Sequence, residues 1–160
     1  MTNRNFTTTI TVDQNPADVF AAISNVRGWW SQEIEGRADK LGATFKHHFK
    51  DLHRCEIAVK ELVPGAKVVW TVLENYFSFT KDSTEWKGTD IVFEIARTDD
   101  DKTVLTFTHV GLVPEYECYD ACTDGWRTYI HGSLRELIAT GRGRPNMGEA
   151  VTDSELSLAQ

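Results

Sequence analysis

Two histidines sit in strand-like runs where aliphatic residues would pack at lower cost. His47 belongs to Gly42–Phe49 (GATFKHHF) and His109 to Thr103–Val110 (TVLTFTHV). Each is in phase with apolar neighbours, Phe45 and Phe49 for the first, Leu105 and Phe107 for the second. An imidazole titrates near neutrality, so either could orient a ligand or move a proton. A hydrogen-bonded core histidine is the alternative reading, and a one-residue register slip would turn either outward. Tyr129 adds a phenol on a helix that must face these strands. No carboxylate or nucleophile stands at a spacing that completes a catalytic set, so binding without catalysis is expected. Cys118 and Cys122, four apart, could join His109 around a metal, with His131 on the far side of the helix. Zinc sites normally use tighter local spacings. Buried reduced thiols are expected instead, with no metal and no cofactor.

The elements that position these groups follow from periodicity. Phe6–Val12 alternates with period two and is rich in β-branched residues, a half-buried strand. Asn15 and Pro16 open a short helix as N-cap and first residue, with Val19, Phe20 and Ile23 as its stripe. Five strands follow: Gly42–Phe49, Cys55–Leu62, Val68–Leu73, Thr89–Ala96 and Thr103–Val110. At 100° per residue, Tyr119, Cys122, Trp126, Ile130, Ser133 and Leu137 share one face of a final helix, flanked by Tyr129 and Leu134. Asp124, Thr128, His131 and Arg135 lie opposite, and Gly141 is placed to cap the end. Short connections favour antiparallel pairing, and the first strand can pair with the last. The result is an α+β domain: a curved six-stranded antiparallel sheet around a long C-terminal helix, with short helices after the first strand.

The faces turned toward one another carry Trp30, Phe45, His47, Trp70, Phe93, Phe107 and His109, facing Trp126, Tyr129, Ile130 and Ser133. A mostly apolar lining with a few polar groups suits a small-molecule pocket, and equally a filled core. Gly132 and Ser133 are small where a packed helix would favour larger residues. Of the pair Trp29 and Trp30, one is expected to anchor the short helices to the sheet. The connection Glu74–Gly88 carries Tyr76, Phe77, Phe79 and Trp86, so it should pack on the body or form a homodimer interface.

A length of 160 residues suits one domain, placed at 1–144, followed by a mobile polar tail at 145–160. A net charge of −7 without a basic stripe argues against nucleic acid. No apolar run reaches the ~20 residues of a membrane span, and the start has no signal-peptide core. With three cysteines, an odd number, these features lead us to expect a cytoplasmic protein with free thiols.

The order of these pieces resembles the START-like (SRPBCC) superfamily, nearest to bacterial homologues of the activator of heat-shock-protein ATPase. Four stretches carry the likeness: Asn15–Ile23 (NPADVFAAI), Glu85–Ile95 (EWKGTDIVFEI), Thr103–Leu112 (TVLTFTHVGL) and Gly125–Gly143 (GWRTYIHGSLRELIATGRG). It implies a helix-grip fold with a cavity between sheet and helix that takes a small apolar or amphipathic molecule. It also implies two alternatives, a polyketide cyclase or aromatase using His47, His109 or Tyr129, and a chaperone-activating interaction module. The co-chaperone behind the family's name has a further N-terminal domain for which these residues leave no room. A chaperone partner is therefore not expected, although it stays open.

Overall fold

A computed structural model describes residues 5–149 and 152–158. Seven strands form one antiparallel sheet: β1 (Phe6–Val12), β2 (Glu35–Gly36), β3 (Thr44–Phe49), β4 (His53–Val63), β5 (Lys67–Phe77), β6 (Asp90–Arg97) and β7 (Thr103–Val110). Their spatial order is β1-β7-β6-β5-β4-β3-β2, so the first strand does close on the last long one. The expected count of six becomes seven through β2. This two-residue edge is held by Arg27, whose guanidinium donates to the carbonyls of Ile34 and Gly36 at 2.7 and 2.8 Å. Two residues are too few for alternation to reveal a strand.

Helix α1 (Pro16–Ser24) starts as its sequence dictates. The Asn15 side chain accepts from the Asp18 amide at 2.9 Å, Pro16 occupies the first position, and Val19, Ala22 and Ile23 are buried. The one-turn α2 (Val26–Trp29) delivers two tryptophans. Trp29 is the anchor: fully buried, its indole N–H donates to the Ile23 carbonyl at 3.1 Å. Trp30 points on toward the long helix.

That helix runs as α3 (Tyr119–Arg127), a π-helical turn (Thr128–Leu134) and α4 (Arg135–Thr140). Within the π turn the Arg135 amide bonds to the Ile130 carbonyl, five residues back. The extra residue widens the buried face, on which Tyr129 and Leu134 lie beside Trp126, Ile130 and Ser133. Gly141 ends the helix at φ 84°, a left-handed position that suits glycine.

The expected mobile tail, 145–160, is described only in part; positions 150, 151, 159 and 160 lie outside the described residues. Asn146 is fully buried, its amide donating to the Trp30 carbonyl and its carbonyl accepting from Gln32, both at 2.8 Å. A last helix, α5 (Asp153–Leu158), packs on α3. No helix among the described residues is long and apolar enough to cross a membrane.

Candidate functional site

The core between sheet and helix is aromatic, and five of its rings close a circuit. His47 meets His53 at 5.1 Å between centroids, His53 meets Trp86 at 4.7 Å, and Trp86 stacks on Trp126 at 5.6 Å. Trp126 meets Trp30 at 5.2 Å, and Trp30 stacks back on His47 at 4.4 Å. All five line a cavity of about 70 Å³, completed by Phe49, Leu52, Phe77, Phe79, Cys122 and Tyr129, with Glu155 and Leu158 of α5 over it. Among the described lining residues, Glu155 is the one that carries a formal charge.

Four of the eleven residues proposed from sequence line this cavity: Trp30, His47, Trp126 and Tyr129. Phe45, Trp70, Phe93, Phe107, His109, Ile130 and Ser133 are buried beside it but outside its lining. They fill the space instead, with Phe93 edge-on to Trp70 at 4.8 Å and to Phe107 at 5.2 Å.

His109 is a bonded core histidine. The Trp126 indole can only donate, and it reaches Nδ1 at 3.1 Å, so the proton sits on Nε2. Nε2–H then donates to the Thr89 hydroxyl at 2.8 Å, which donates to the Trp86 carbonyl at 2.6 Å. This chain ties helix, sheet and the Trp86 connection together and leaves neither ring nitrogen for a substrate. Burial pushes the His109 pKa down to about 3, so the ring is neutral.

His47 differs. Burial, then the charges of His53 and His48, holds its pKa well below the usual value, and its Nδ1 is buried without a partner among the described residues. The indole N–H groups of Trp86 and Trp70 are likewise unpartnered. Two of these three atoms belong to cavity-lining residues. His53 Nε2 donates to the Asn75 side-chain oxygen at 3.0 Å, and burial lowers its pKa to about 4. Tyr129 donates to Glu155 at 3.1 Å, and burial followed by that carboxylate raises its pKa.

The small residues on the helix have a packing cause. Ser133 Oγ donates to the Trp29 carbonyl and accepts from the Arg144 amide, both at 2.7 Å. The chain crosses here so closely that a Cβ on Gly143 would stand 2.4 Å from the Gly28 carbonyl oxygen and 2.9 Å from that of Ser133. Ser133→Ala should therefore cost about 2 kcal/mol by stranding two backbone groups, or roughly 4–8 °C in Tm by calorimetry. An unchanged Tm would remove the hydroxyl from this structural role.

His53, Phe77 and Trp86 are among the lining residues that the sequence reading did not place there. His53 continues the alternation of Cys55, Ile57 and Val59 two residues upstream. Phe77 is hidden by a bulge: Ile57 faces Val72 and Glu56 faces Glu74, so Leu73 is skipped and the inward phase passes to Asn75 and Phe77. Trp86 packs inward from the connection expected either to pack on the body or to form an interface. Its neighbour Glu85 caps the long helix, accepting from the Glu117 and Cys118 amides at 2.9 and 3.0 Å. The tail carried a signal too. Thr152 and Glu155 form a reciprocal capping box, with bonds of 3.0 and 2.9 Å.

Cys55, Cys118 and Cys122 are buried free thiols, and the hydrogen bond with Cys122, then burial, pushes the Cys118 pKa up. No three histidine, cysteine or carboxylate groups among the described residues are placed to hold a metal ion.

Several solved structures share this architecture. The solution structure of the Aha1 dimer from Colwellia psychrerythraea matches at TM-score 0.69 and 23% identity, over 87% of this chain and 98% of that one. CalU16 from Micromonospora echinospora matches at 0.60 and 11%, over 85% and 76%. DynU16, from the dynemicin biosynthetic locus, matches at 0.63 and 15%, over 89% and 49%. At these identities the likeness is one of fold. A comparison with curated proteins finds no match. A model of the family described as activator of Hsp90 ATPase homolog 1-like protein matches residues 13–139. With that match covering most of the domain, from the end of β1 to the end of the long helix, the chain belongs to the activator of Hsp90 ATPase homolog 1-like family.

Proposed function

We propose that the protein binds a small apolar or amphipathic molecule, without transforming it, in the cavity between the sheet and the C-terminal helix. The observation that carries this reading is the aromatic cavity with unpartnered buried nitrogens on two lining residues, His47 and Trp86. A buried polar atom without a partner costs about 1–3 kcal/mol, and a ligand hydroxyl or carbonyl would recover it. Catalysis is disfavoured because both ring nitrogens of His109 are bonded within the core and His109 lies outside the lining.

The reading is tested by native mass spectrometry of freshly purified protein, and by tryptophan-fluorescence titration with matched probes, phenol and toluene. Phenol is expected to bind the tighter, and His47→Leu to remove that preference, about tenfold in Kd. Absence of any bound mass together with no saturable quenching by either probe would refute it.

A homodimer is a second reading, favoured by the dimeric state of the Colwellia protein. Phe77 and Trp86 pack inward, so of the connection's aromatics Tyr76 and Phe79 are the ones left partly exposed for such a dimer. Light scattering should then give twice 18.1 kDa, and a monomer mass would exclude it.

A further inference from the structure

The outer side of the long helix carries a second cleft that shares no lining residue with the aromatic cavity. It is open, about 490 Å³ in volume, and lined by Arg127, Thr128, His131, Gly132, Ser133 and Arg144. On a chain of net charge −7, this described lining holds two guanidiniums and no carboxylate. Thr128, His131, Gly132 and Ser133 all belong to the π turn, a rare conformation that recurs at functional sites. Both arginines are held in place. The Arg144 amide donates to Ser133 Oγ, and its Nε donates to Glu136 at 2.7 Å. Its guanidinium lies against Gly132, where a Cβ would stand 3.1 Å from Nη2. Gly132 is therefore the seat of that guanidinium. Arg127 lies over the Phe6 ring at 5.2 Å from its centroid, a contact that uses none of its N–H donors. His131 shares a 2.6 Å hydrogen bond with the Thr8 hydroxyl through Nε2. Burial, then the charges of Arg135 and Arg127, lowers the His131 pKa, so the potential around this ring is positive. Arg135, next along the same face, donates to the Thr11 carbonyl at 3.2 Å.

An anion would offset this clustering of positive charge. Two guanidiniums match a dianion, and their planar N–H forks suit the oxygens of a phosphoryl group. A single carboxylate would leave one charge unmatched. The cleft is roomier than an inorganic ion requires, which suits an ester. We infer that this cleft binds a dianionic phosphate monoester, with Arg127 and Arg144 pairing the phosphoryl oxygens. The site is independent of the aromatic cavity, and either can fail without the other.

The probe is inorganic phosphate, titrated into the full chain in low-salt HEPES at about pH 7.5 and read from the His131 ring-proton NMR signal. A saturable shift is expected, together with a rise in the His131 pKa, because a bound dianion favours the imidazolium. Arg127→Gln and Arg144→Gln should each weaken binding about fivefold, and the two together should abolish it. Both side chains are exposed, so Tm should barely move. Gly132→Ala keeps both charges but displaces the Arg144 guanidinium. It should weaken binding about twofold with no loss of stability, alanine being the better helix former. Phenyl phosphate should bind at least as tightly as inorganic phosphate, and an equal concentration of acetate should not compete. Sedimentation with phosphatidic acid vesicles but not with phosphatidylcholine vesicles would assign the phosphoryl group to a lipid; sedimentation with neither would assign it to a soluble ester. No saturable His131 shift would overturn the inference. So would an unchanged affinity in the Arg127→Gln/Arg144→Gln variant, or competition by acetate equal to that of phosphate.

Discussion

Between pH 7 and pH 5 the protein should lose about 4 kcal/mol of folding stability through His53 and His109 alone. Burial holds their folded pKa values at about 4 and about 3, against 6.5 for an unconstrained imidazole. In this interval the unfolded chain binds protons at both sites and the folded chain does not, so stability rises with pH. The contribution is complete above pH 6.5. It falls by about 1.4 kcal/mol per unit of pH for each ring as the pH drops below that, until each folded pKa is reached. His47, also held low by burial, adds in the same direction. Set against a typical total of roughly 5–15 kcal/mol, this places acid unfolding in the range where only histidines titrate in the unfolded chain. Urea denaturation at half-unit steps from pH 7.5 to 4.5 measures it. His53→Gln keeps an amide donor for Asn75 and should flatten the slope by one ring's share. A stability that does not change between pH 7 and 5 would contradict the neutral, buried state of these histidines.

Much of the fold was legible because its strands carry clean alternation. Thr44–Phe49 and Thr103–Val110 bury every second residue, and the inward placement of His47 and His109 follows from that phase alone. The site was less legible, for identifiable physical reasons. A bulge at Leu73 inverts the phase of β5, and no period-two pattern announces such a skip. The π turn at Thr128–Leu134 broadens the helix face beyond what 100° per residue allows. The Gly132–Ser133 step suggested a hole, but small residues mark close backbone approach as readily as empty space, and here the Gly143–Arg144 chain fills it. The tail was judged by its polarity, although the capping box at Thr152 and Glu155 was present in the sequence. The bulge on β5 and the crossing at Ser133 depend on partners distant in sequence, which local pattern does not contain.

Replacing Trp126 should produce the largest single loss of stability on the helix. Its ring contacts Trp30, Trp86 and Phe107 at 4.7–5.6 Å between centroids, and its N–H is the partner of His109 Nδ1. Trp126→Ala removes the ring and strands the imidazole, for a cost of about 4–5 kcal/mol and a fall in Tm on the order of 10–15 °C. Trp126→Phe separates the two contributions. It keeps most of the packed area and deletes the donor, so it should cost about 1–3 kcal/mol. His109→Leu removes the acceptor and leaves the indole N–H and the Thr89 hydroxyl short of a partner, for a similar loss. The double variant Trp126→Phe/His109→Leu leaves no stranded pair between helix and sheet. Its cost should fall short of the sum of the singles by about 1–2 kcal/mol. Strict additivity in that cycle would show that the two side chains do not act as a bonded pair. The same measurements bear on the cavity. If Trp126 is chiefly a wall of the site, Trp126→Phe should change the affinity for phenol and toluene alike. If it is chiefly the link that holds His109, stability should change and affinity should not. The ring circuit through Trp30, His47, His53 and Trp86 favours the first outcome, because Trp126 supplies the helix side of the space those rings enclose.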